Sequence, residues 1–78
     1  MDLDEARRRL PPIWTIYHNP RDFPGRFVVR VFYGECAERD CTTHDTLEDA
    51  RISVCARGAS CNLHRAPADN PVIVESWI

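Results

Sequence analysis

The chain has 78 residues, of which 44% are hydrophobic and 28% charged, and this fits one small globular domain with a thin core. No apolar run approaches the ~20 residues that a membrane helix needs, and a net charge of −2 excludes a global field that would draw the molecule onto nucleic acid. All ten basic residues are arginines, a bias that GC-rich coding imposes, and the opening MDLDEARRRLPP has neither the apolar segment nor the cleavage site of a signal peptide, so a cytoplasmic protein is expected.

Residues 1–12 read as an N-terminal arm or short helix, with Asp2, Asp4 and Glu5 at its start, Arg7, Arg8 and Arg9 at its end, and Pro11-Pro12 as the stop. So short a helix is marginal alone, and a frayed arm is the favoured reading. Residues 13–78 form the domain proper. Ile13 to His18 is rich in β-branched and aromatic residues and reads as a strand, as does RFVVRVFY from Arg26 to Tyr33. In the second strand Phe27, Val29, Val31 and Tyr33 make the core face, with Val28, Arg30 and Phe32 opposite. The connector NPRDFPG holds Pro24-Gly25, which suits the centre of a type II turn, and Phe23 is expected to fold back over the sheet edge. Thr46-Leu47-Glu48-Asp49 has the form of a capping box, so a helix should run from there to about Ala56 and end near Gly58, burying Leu47, Ala50 and Val54, with Cys55 at the edge of the stripe. PVIVESWI reads as a last strand with Pro71 in its first position. The fold class expected is α+β: a small antiparallel sheet of three strands with one helix across one face, in the order β-β-α-β.

The four cysteines occur as Cys36-x4-Cys41-x2-His44 and Cys55-x5-Cys61-x2-His64. Structural zinc sites place paired cysteines two to four residues apart in a tight knuckle, and neither pair does so, which leaves Cys36, Cys41, Cys55 and Cys61 as an alternative metal set only. Free thiols come first, since a disulfide would not persist in a reducing cytoplasm. A Cys–His nucleophile pair can be drawn from Cys61 and His64 or from Cys41 and His44, but catalysis also needs an orienting group, an oxyanion site and a pocket. No enzyme and no cofactor is expected, and the histidines read as surface loop residues.

Charge is distributed unevenly. Between residues 34 and 50, six carboxylates stand against Arg39 alone, a net charge of −5. These are Glu35, Glu38, Asp40, Asp45, Glu48 and Asp49, placed where a loop enters a helix. Such a patch can simply be solvated, and the first-turn carboxylates suit the helix dipole, but it also has the sign of a ligand for a phosphate-binding groove. Arg7-Arg8-Arg9 is the one basic run, and it lacks the interleaved aromatics of a single-strand binder.

The stretches WTIYHNPRDFPGRFVVR, DTLEDAR and DNPVIVESWI together resemble a family of short, largely uncharacterised proteins of GC-rich bacteria and their prophages. That family shows a W-T-I-Y-x-x-P-x-D-F-P opening, a helix introduced by T-L-E-x-x-R, and a D-P-V-I-V-E-x-W ending. The resemblance covers about residues 13–33, 45–52 and 69–78 and leaves out the cysteine-bearing stretches. It implies an accessory product of a mobile element, similar to anti-CRISPR proteins that inhibit type I effector complexes. On that footing the expected function is to bind a type I surveillance (Cascade) complex as a monomer and block target DNA binding, with the six carboxylates as partner-binding residues. A small prophage module binding zinc or nucleic acid is the alternative.

Overall fold

The computed structural model describes residues 1–78, as two helices and five strands. Helix α1 spans Leu3–Arg9, and strands β1 and β2 span Ile13–His18 and Phe27–Tyr33. Two short strands follow, β3 at Cys36–Ala37 and β4 at Thr42–His44, then helix α2 at Leu47–Ala56 and strand β5 at Ile73–Trp77. All pairings are antiparallel, and β1 lies centrally between β2 and β5. The class is α+β, but three strands in β-β-α-β order is corrected to five strands with a helix at the front.

The two added strands share one edge. Tyr33 pairs with Cys36 and Phe32 with Ala37, while Val29, Val28 and Phe27 pair with Thr42, Thr43 and His44. The register slips by two residues between them, so Arg39, Asp40 and Cys41 bulge out opposite Arg30. They are one edge strand broken by a bulge, a device that blunts a free edge.

The β1–β2 connection follows the sequence expectation. The Phe23 carbonyl accepts the Arg26 N–H at 3.3 Å and Gly25 has φ +74°, the positive value that position demands of a type II turn. The Asn19 side chain accepts the Gly25 N–H at 2.7 Å, Pro20 is buried, and Asp22 pairs with Arg30 at 2.6 Å. The last contact tilts the loop back over the face of the sheet that carries Arg30, and Phe23 is half-buried. Between β2 and β3 the turn is Gly34-Glu35, with Gly34 at φ +63° in the first central position of a two-residue hairpin.

Helix α2 starts where Thr46 accepts the Asp49 N–H at 3.0 Å. It ends in a Schellman arrangement, with the Ala59 N–H on the Val54 carbonyl at 3.0 Å and the Gly58 N–H on that of Cys55 at 3.1 Å. Val54 and Ala59 are thereby brought together in the core, with Trp14, Ile16, Val29, Val31 and Ala50; Phe27, Tyr33, Leu47, Val74 and Trp77 pack around them. Phe27, Val29, Val31 and Tyr33 thus share the core face as expected, while Val28 on the opposite face is fully buried as well. Two details differ: Cys55, expected at the edge of the apolar stripe, is exposed, and Pro71 lies in the turn before β5 because Asn70 ties that turn through both its side chain and its carbonyl.

Helix α1 is docked, not frayed. Asp2 caps it by accepting the Glu5 N–H at 2.8 Å, Ala6 has no exposed surface, and the helix touches β2 and β3. None of its residues belongs to the central cluster. No helix is long and apolar enough to cross a membrane.

Candidate functional site

The six carboxylates are spread out rather than gathered in one patch: four lie along the β3–β4 stretch and its turns, and Glu48 and Asp49 stand in the first turn of α2. Glu35 sits in the turn beyond Tyr33, Glu38 precedes the bulge, Asp40 lies in it, and Asp45 follows β4 past the Phe27 end of β2. Six strand steps separate those ends, roughly 20 Å.

Two of the six are already engaged. The Arg7 guanidinium grips Glu38 through both carboxylate oxygens, with Nε on Oε1 at 2.7 Å and Nη2 on Oε2, and this hydrogen bonding holds the Glu38 carboxyl below its ordinary range. Asp45 pairs with Arg26 at 2.5 Å. Glu35, Asp40, Glu48 and Asp49 are exposed and have no salt-bridge partner. The structure therefore reduces the acidic set to four free carboxylates. An open cleft of about 460 Å³ lies between α1 and the bulge, lined by Asp2, Leu3, Asp4, Arg7, Glu38, Arg39 and Asp40. Here too carboxylates outnumber arginines.

The thiols do not converge. Cys36 and Cys41 are half-buried, Cys55 and Cys61 are exposed, and none is bonded to another. Cys36 lies opposite Tyr33 and Cys41 about opposite Arg30, three strand steps or roughly 10 Å apart. That exceeds the ~7 Å Cα separation a disulfide spans. No group of three or more His, Cys, Asp and Glu side chains is arranged to hold a metal. His44 is in β4 and shares a 2.9 Å hydrogen bond with Thr42, not in a surface loop as expected; His64 is exposed in a loop.

A different polar cluster went unread in the sequence. Glu75, only 4% exposed, points from β5 into the face that α2 covers. Arg51 of α2 clamps it with Nε on Oε2 at 2.9 Å and Nη2 on Oε1 at 2.7 Å, and the Trp77 indole N–H donates to Oε2 at 2.6 Å. The Arg51 hydrogen bonds lower the Glu75 pKa against the opposing effect of burial, with Trp77 adding to the lowering. The arginine of T-L-E-x-x-R and the glutamate and tryptophan of E-x-W thus meet in one contact. The i, i+2 spacing placed Glu75 and Trp77 on one face of a strand, and that was the available signal. With both oxygens of Glu75 engaged, the cluster joins helix to sheet.

Comparison of the chain with family models, with curated proteins and with solved structures gives no match.

Proposed function

We propose that the protein acts by occupying a protein surface rather than by catalysis, as a monomeric anti-CRISPR protein of phage or prophage origin in the cytoplasm of the bacterial host. Its partner on this reading is a type I surveillance complex, and the consequence is exclusion of target DNA. The observation that carries it is the set of exposed, unpaired carboxylates, Glu35 in the β2–β3 turn, Asp40 in the bulge, and Glu48 and Asp49 in the first turn of α2. A complex of that type holds DNA through arginine and lysine contacts to phosphate, and a rigid acidic edge offers such a groove the same sign of charge. Each exposed ion pair contributes only ~0.2–1 kcal/mol, so the contact is distributed and salt-sensitive. The resemblance described above supplies the partner class.

The experiment is competition. Purified protein is added to a purified type I surveillance complex before labelled target duplex. The expected result is co-elution of the protein with the complex and loss of duplex binding, weakening as salt rises. A protein that co-elutes with no type I complex and leaves duplex binding intact contradicts the reading.

A further inference from the structure

Helix α1 has the construction of a part that comes and goes. Seven residues are too few to hold a helix in water alone, so α1 exists only while docked. Its docking rests on one fully buried side chain, Ala6, on the Arg7–Glu38 pair, and on Leu10, whose Cδ1 would lie 2.8 Å from a Cβ placed on Gly34. None of these belongs to the seven-residue core between the sheet and α2, whose contacts therefore do not include α1. Pro11 and Pro12 keep helix from running on into β1, so α1 is joined to the sheet only through the short extended segment 10–12. What α1 covers lies on the acidic edge. Arg7 neutralises Glu38, and the Met1 carbonyl lies 3.6 Å from the half-buried Cys36 thiol.

We propose that α1 is a detachable strap that masks one end of the acidic edge: docked, it cancels the Glu38 charge and covers Cys36; released, it adds Glu38 to the four free carboxylates. The functional half of this proposal rests on the reading of the edge as the partner contact. The ion pair is solvent-exposed, so salt loosens the strap, and an approaching basic surface competes with Arg7 for Glu38.

Arg7→Gln and Arg8→Gln carry the same net charge, but Arg8 makes no salt bridge, so only the first frees Glu38. Maleimide labelling of Cys36, read by mass spectrometry with Cys41 as internal reference, reports the strap. Arg7→Gln should label Cys36 about two- to fivefold faster than the native protein and Arg8→Gln, the size expected of one exposed pair. About 0.5 M salt should bring the native rate up towards that of Arg7→Gln. Amide exchange at Ile16 and Val29 should be unchanged in all three, which separates strap release from unfolding. Equal Cys36 rates in all three proteins overturn the strap. Binding to the purified surveillance complex reads the mask: Arg7→Gln should bind about two- to fivefold more tightly than Arg8→Gln. Equal binding by the two variants overturns the mask. Absence of binding by every form instead overturns the assignment of partner, while the labelling result stands on its own.

Discussion

The two helices begin alike and end with different standing in the molecule. Each is short, each has acidic residues in its first turn, and each is capped by a side chain that accepts the N–H three residues on, Asp2 to Glu5 and Thr46 to Asp49. Yet α2 places Ala50 and Val54 in the core, closes on it again through Ala59, and ties itself to β5 through Arg51, whereas α1 buries only Ala6 outside that core. Local code started both helices; tertiary burial made one part of the fold and the other an attachment.

The sharpest way to break this contrast is to cut each helix at its buried residue. Val54→Ala should cost about 2–3 kcal/mol in urea unfolding, the transfer loss of two methyl groups plus a cavity. Ala6→Gly should cost about 1 kcal/mol or less, and the loss should appear in exchange of the α1 amides while the unfolding midpoint hardly moves.

Arg51→Gln comes next, because it leaves Glu75 buried without its cation. The pH dependence gives the sign. Hydrogen bonding from Arg51 holds the folded pKa of Glu75 below the ordinary glutamate value of about 4.5, so the stability this group contributes is fully present above that pH and is lost as pH falls through the folded value. Urea midpoints of the native and Arg51→Gln proteins should therefore differ most near neutrality and converge in acid. A constant gap down to about pH 3 would show that packing of the arginine stem, not the ion pair, is what was lost.

The caps give the smallest effect. Thr46→Ala should destabilise the whole domain by about 1 kcal/mol. Asp2→Ala, which removes the same kind of bond, should leave the thermal midpoint unmoved and raise Cys36 labelling.

What could be read in advance followed local chemistry. Pro24-Gly25 named its turn, Thr46 and Gly58 bounded α2, and alternation in RFVVRVFY sorted the faces of β2. The short strands β3 and β4 were not legible, since two and three residues give no period to count and Arg39, Asp40 and Cys41 interrupt them. A sum of charge along the chain could not see that Glu38 is answered by Arg7 from 31 residues away, or Asp45 by Arg26 from 19. The Arg51–Glu75 clamp, 24 residues apart, was hidden for the same reason. Arg7, Arg8 and Arg9 read from the sequence only as the basic end of a short helix, yet Arg7 grips Glu38.

The central claim is that the free carboxylates of the edge make the contact with a type I surveillance complex. Its most direct test is the binding constant of the variant with Glu35, Asp40, Glu48 and Asp49 together changed to arginine, measured beside its thermal midpoint. All four are exposed and without a salt bridge, but Glu48 and Asp49 stand in the first turn of α2, so the midpoint should fall by the equivalent of about 1–2 kcal/mol, with the variant still folded, while binding to the complex is abolished. A variant that stays folded and still binds the complex as tightly as the native protein contradicts the account.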